Sequence, residues 1–317
     1  LFENFYFSLR ATMPLFIMMV LGYFLKRIGL INKEGTKSLN LLVFRVFLPL
    51  LLFKDLAEQD FYSMWDTTFV VFCFVATIIS IGIAAMFSHI SKNRKDRGEI
   101  IQASYRSAAA TLGIAFMANI YNDVSMVALM IIGSVPLYNI AAVIVLSVTS
   151  PDNDALKDKK ELAKKTMFSI ITNPILIGVV LGTLGSLMHL QLTPIVGKTV
   201  NSLAAVASPL ALIALGSSFK FDDLKAKYKP VLLVIFNKLF LFCVIFLPLG
   251  IYLGFRNEKL VAALIMLGSA STSSCYVMSK SMGHEGIISS AAVMIGTLLS
   301  SATLTFWLFA LKSMGFI

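Results

Sequence analysis

The chain has 317 residues, 57% of them hydrophobic and only 14% charged, with a mean hydropathy of +0.83. Soluble domains carry about 25% charged residues, so this composition excludes a soluble globular protein and implies a polytopic membrane protein. The net charge of +10 then reads as basic bias of loops on one membrane face, not as a nucleic-acid footprint.

In chain order, ten apolar segments of spanning length, about 20 residues each, fall at 7–26, 38–56, 67–89, 100–120, 125–147, 167–188, 194–218, 230–252, 260–279 and 287–311. The first carries no signal-peptide pattern; Met13–Leu25 leads straight into a full span. The fourth and ninth are the most polar. Of the 27 Lys and Arg residues, eighteen lie in the loops after the odd-numbered segments and six on the opposite side. The positive-inside bias therefore puts the odd-to-even loops in the cytoplasm and both termini outside, in the plasma membrane.

An odd number of spans per half predicts two halves inserted upside down relative to each other. The sequence carries that repeat: ATMPLFIMMVLG at 11–22 and ITNPILIGVVLG at 171–182 share six identities in twelve positions at an offset of 160. The same offset pairs Pro49-Leu50 with Pro209-Leu210. The expected organisation is a first five-helix repeat over 1–148, a charged cytoplasmic linker over 149–166 that frays or forms a brief surface helix, and a second repeat over 167–317. Inverted repeats of this kind are the usual build of secondary transporters.

All 17 acidic residues fall in loops or at segment ends, Asp123 coming closest to the interior. This argues against a proton or cation antiporter, which needs carboxylates inside the membrane. No Walker-type phosphate loop occurs, so an ATP-driven pump is not expected. His89, His189 and His284 lack ligand spacing, and Cys73, Cys243 and Cys275 read as buried packing residues. No enzyme activity, metal or cofactor is expected.

What remains suits a polar organic anion. Ser107–Asn122 and Met266–Gly283 place hydroxyls and small residues at membrane depth, where polar groups must face protein or a water-lined cavity. Ser107, Thr111 and Gly113 in the fourth segment, and Ser271, Thr272, Ser273 and Ser274 in the ninth, are candidates for hydrogen-bonding helix breaks. Close helix packing through small residues explains the same composition. Arg45, Arg106 and Lys238 lie inside segments, and snorkelling to the inner interface is the default for all three. Arg106, one turn before the polar stretch, is the one placed to meet a carboxylate.

Several longer stretches resemble one family. MPLFIMMVLGYFLKRIGLI at the start, LLVFRVFLPLLLF in the second segment and VPLYNIAAV in the fifth belong to the pattern. NPILIGVVLG, SPLALIALGSSF and the AAVMIGTLLSSATL tail complete it. Over nearly its whole length the chain is similar to the auxin efflux carrier family, in its bacterial organic-acid permease branch. The resemblance implies an all-α fold of ten transmembrane helices in two inverted five-helix repeats, like that of bile-acid symporters and proton antiporters. Segments 1, 2, 6 and 7 would form a dimerising scaffold. Segments 3–5 and 8–10 would form a transport domain whose broken fourth and ninth helices cross. It further implies elevator-like alternating access and a mono- or dicarboxylate substrate such as malate or malonate, with a proton or sodium ion as candidate coupling ion.

The chain departs from the family at the crossing. Ala115 and Cys275 stand at its two proline positions, Ala108 near its substrate-contacting Asn, so the breaks are expected to rest on Gly113 and on Ser and Thr side chains. Tyr138-Asn139 is kept, which makes Asn139 the best carried-over contact. Two alternatives stay open: a sodium-coupled or other solute carrier of the same fold, and a non-transporting ligand sensor built on it.

Overall fold

The computed structural model describes residues 2–57, 65–91, 93–121, 125–150, 167–168, 171–190, 192–219 and 221–317, without the side chains of 2–11, 110, 111, 114, 115, 118, 119 and 221–223. Most of the linker and Asn122 and Asp123 lie outside the described residues, as do the side chains of Thr111 and Ala115.

The described residues form helices and no strands. Helix α1 (Phe2–Arg27) is followed by α2 (Lys33–Leu42), which runs through a π-helical turn, Val43–Phe47, into α3 (Leu48–Ala57). Then come α4 (Thr67–Ser88), α5 (Arg97–Tyr105), α6 (Ala109–Ile120), α7 (Ser125–Val148), α8 (Pro174–Leu187) and α9 (Pro194–Ser218). After the short α10 (Phe221–Ala226), α11 (Tyr228–Phe236) passes through a second π turn, Asn237–Leu241, into α12 (Phe242–Tyr252). The chain ends with α13 (Asn257–Gly268), α14 (Ser274–Ser281) and α15 (Ile287–Ser313). Five runs are long and apolar enough to cross a membrane unaided: α4, α7, α9, Tyr228–Tyr252 and α15. Each is partly buried and keeps an exposed apolar face, as at Val71, Phe74, Ile78 and Phe306, which suits lipid as the solvent.

Helix starts follow local chemistry. Asn32, Asp66 and Asn173 each accept a backbone N–H of the following helix, from Gly35 at 2.6 Å, Phe69 at 3.0 Å and Ile175 at 3.0 Å. Pro174 and Pro194 fill the first helical position, where a missing N–H does no harm.

Two packed groups emerge. In one, α1 and α3 pack on α9, and α3 packs on α8. In the other, α4, α5 and α7 pack together, α11 packs on α5 and α15, α12 on α13, α13 on α6, α7 and α15, and α14 on α15. Helix α15 also packs along α1. The first group depends on glycine. A Cβ on Gly182 would stand 2.7 Å from the Phe53 carbonyl oxygen, and one on Gly22 would overlap the Ile213 carbonyl oxygen. These two contacts convert into each other when both residues are shifted by 160.

The fourth and ninth segments are each split. Between α5 and α6 the chain is non-helical at 106–108, and between α13 and α14 at 269–273. This corrects the expectation for the first break: Gly113 lies inside α6, facing Val127 and Met130, and the break falls several residues earlier. Cys275 sits in the first turn of α14, with its N–H bonded to the Thr272 carbonyl. The cause is a set of substitute partners. The Ala103 carbonyl accepts from Ser271 Oγ (2.6 Å), the Tyr105 carbonyl from Lys238 Nζ (3.4 Å), and the Ala108 N–H donates to the Ala270 carbonyl (2.8 Å). Backbone groups that leave a helix ladder inside a membrane persist only when another group satisfies them. Here each break satisfies the other.

Candidate functional site

The site grows from these joined breaks. Gln102 Nε2 bridges from α5 to the Cys275 carbonyl (2.9 Å) and Ser279 Oγ (2.5 Å) of α14, fixing the two segments face to face. Arg106 is the first residue past α5, and its extended backbone (φ −70°, ψ 141°) swings the side chain away from the helix axis. Its guanidinium Nη2 donates to Asn139 Oδ1 (3.0 Å) and to Ser274 Oγ (2.7 Å), while Nη1 lies against Met278 Sδ. Asn139 in turn donates to the Val135 carbonyl at 2.8 Å, which fixes its amide. Arg106 is only 3% exposed, so it does not snorkel. Among the described residues no carboxylate reaches it, and its Nε has no partner.

Helix polarity reinforces this charge. The N-termini of α6 and α14 begin at the breaks, and neither Ala108 nor Ser273 supplies a side-chain cap. Helix N-termini present N–H donors and partial positive charge, so a guanidinium beside two of them makes a strong anion attractor.

The structure brings most of the expected residues together. Arg106, Asn139 and Ser274 touch directly, and Thr272 Oγ1 lies 3.3 Å from Ser274 Oγ. Ser271 ties the breaks, Ser107 Oγ lies 3.5 Å from the Tyr138 hydroxyl, and Ser273 starts α14. Tyr138 packs against Tyr105, with ring centroids 5.9 Å apart. Gly113 stands apart as a packing glycine.

Lys238 corrects the second snorkelling expectation. It is 2% exposed, and Nζ donates to the Met266 carbonyl at 2.9 Å as well as to Tyr105. Arg45, by contrast, is exposed. Composition gave no sign of the roles of Gln102 and Lys238. A lone Gln and a lone Lys inside apolar segments are the only signal they leave.

A cavity of about 770 Å³ opens beside the site, lined by Lys26, Lys33, Lys37 and Lys280 and floored by Asn40 and Tyr276. Arg106 and its partners do not line it; they lie on the other face of α14, on which Ser274 and Met278 sit. At the floor, the Tyr276 hydroxyl accepts from Asn40 Nδ2 (3.1 Å) and bonds Ser218, so one side chain of α14 joins α2 and α9.

This fold and site define a polytopic helical membrane protein with a buried cationic centre. Comparison with known proteins is specific about its class. A family model described as "Membrane transport protein" matches residues 7–308. The chain belongs to that membrane transport family, the auxin efflux carriers. It is also similar to an uncharacterized transporter from Methanothermobacter thermautotrophicus, 22% identical over 306 residues, which covers 95% of this chain and 97% of the relative.

Proposed function

We propose that this transport protein is a plasma-membrane secondary carrier for a small organic anion, a mono- or dicarboxylate such as malate or malonate. The observation that carries the reading is Arg106. A permanent cation is held at the joined breaks by neutral groups, with no carboxylate near it among the described residues, beside two helix N-termini without side-chain caps. A buried charge without a counter-charge is costly, and a solute carboxylate supplies one. A guanidinium suits that task because its planar fork matches a carboxylate.

The same reading assigns the two packed groups. The helices of segments 1, 2, 6 and 7 form the scaffold, through which two copies pair, and those of segments 3–5 and 8–10 carry the site. Two inverted five-helix repeats account for the offset of 160 and for the Gly22–Ile213 and Gly182–Phe53 contacts that it interconverts. In elevator-like alternating access, the lysine-lined cavity is the cytoplasmic approach. Tyr276 is the bond between groups that must open and close as they slide.

Uptake of labelled malate, malonate and related acids into proteoliposomes tests the substrate class. Saturable carboxylate uptake that competes among these acids is expected. Absence of both uptake and competition for every carboxylate would sink the reading.

A further inference from the structure

We infer that Lys238 is a tethered resident cation: its ammonium occupies a monovalent-cation site built from the carbonyl ends of two half-helices. The carrier therefore works without a separately bound sodium or potassium ion at the breaks. The last-turn carbonyls of a helix lack intrahelical partners and carry partial negative charge. Helices α5 and α13 both end at the breaks, and Lys238 Nζ lies 3.4 Å from the Tyr105 carbonyl of one and 2.9 Å from the Met266 carbonyl of the other.

The surrounding chemistry is that of a hard-cation site. Around Lys238, Tyr105 and Met266 the space is lined also by the hydroxyl-bearing Thr77, Ser80 and Tyr138 and by Phe242 and Leu267, and none of these is an acid. The space left is about 10 Å³, room for one water at most. The placement has a specific cause. Lys238 lies in the π turn Asn237–Leu241, whose extra residue per turn re-aims the side chains of an otherwise regular span. Such turns concentrate at functional sites.

The two buried cations divide the joined breaks by polarity. Lys238 answers the two C-termini, and Arg106 stands with the two N-termini where an anion is wanted. A free cation would bind and leave in each cycle, whereas a tethered one travels with its domain in both directions. This inference rests on the site reading above, but its test reads cation binding, so it can fail while carboxylate uptake stands, and the converse.

The experiment is thermal unfolding of the full-length purified protein in sodium, potassium, lithium or choline chloride at equal ionic strength. The wild type should unfold at one temperature in all four. The Lys238→Ala protein should be destabilised in choline chloride and gain about 5 °C with saturating methylammonium or sodium. A sodium-specific rise in the wild type would overturn the inference. So would a folded Lys238→Ala protein indifferent to every small cation. Should Lys238→Ala yield no monodisperse protein, the wild-type comparison alone decides: indifference to sodium supports the inference and a rise refutes it.

Discussion

Replacing Arg106 by methionine keeps the length and bulk of the side chain and removes its charge and fork. In the unliganded protein two effects oppose each other. The hydrogen bonds to Asn139 and Ser274 are lost, each charge-assisted and worth about 1.5–3 kcal/mol. An uncompensated buried cation is removed as well, which stabilises by an amount of the same order. Thermal stability without solute should therefore change little. With solute the two effects no longer cancel, because the anion loses the counter-charge that stands at the two helix N-termini. Truncating one partner of a buried charge pair costs about 2–5 kcal/mol, which is roughly a 30- to 4,000-fold weaker affinity at 1.4 kcal/mol per tenfold. Proteoliposome uptake over a concentration series reads this as a raised KM, and Arg106→Lys should fall between, since one ammonium cannot reproduce the fork. A purely structural arginine would show the reverse pattern. Lost stability with unchanged KM for every transported acid would refute the reasoning.

Gly182→Ala should destabilise by about 1–3 kcal/mol, as overpacking does, because its Cβ would meet the Phe53 carbonyl at 2.7 Å. Gly22→Ala should do the same against Ile213, and an unchanged unfolding temperature for both would remove the packing argument for the repeat. Ser271→Ala leaves the Ala103 carbonyl without its donor and should cost about 1–3 kcal/mol, whereas Ser271→Thr keeps the hydroxyl; equal stability of the two variants would speak against mutual support of the breaks. At the N-terminal end of α4, the hydrogen bond from Lys259 holds the Asp66 carboxyl below its ordinary value of 3.8. A depressed carboxyl stabilises above its unfolded value and loses that contribution as pH falls through the folded one. The gap in unfolding temperature between wild type and Asp66→Asn should thus stay level from about pH 8 to about pH 5 and close below about pH 4; a gap that widens on acidification would contradict the pairing.

The all-helical, apolar character was legible because apolar composition is a local property, and five of the expected segments, the third, fifth, seventh, eighth and tenth, are helical runs long and apolar enough to span. The position of the first break was not legible. It is set by atoms far along the chain: Ser271 reaches back to Ala103, and Lys238 to Tyr105. Gly113 looked like the weak point because glycine lowers helix propensity, yet it serves packing against Val127 and Met130. Whether a lysine inside a span snorkels or turns inward depends on register, and a π turn alters register by one residue. Arg106 and Ser274 could be named from their types, and Asn139 from the family resemblance. Their convergence needed the fold.

The missing prolines sharpen this point into a last prediction. By the family resemblance Ala115 and Cys275 stand at two proline positions, so by sequence the two restorations are equivalent. Their backbones are not equivalent. Position 115 lies within α6, well past its first turn, so Ala115→Pro removes an i→i−4 bond, clashes with the preceding turn and should cost about 3 kcal/mol or more. Position 275 lies in the first turn of α14, where proline is tolerated, and Cys275→Pro gives up one N–H bond, to the Thr272 carbonyl at 3.0 Å. Its loss should stay near 1 kcal/mol. Thermal unfolding of the two purified variants measures the difference directly. If Ala115→Pro is the milder change, α6 does not begin at Ala109, and the anion-attracting N-terminus beside Arg106 lies elsewhere. If the asymmetry holds, these breaks are maintained by partners across the crossing and not by proline. The site then exists only while α5, α13 and the Lys238 turn stay packed together, as one unit.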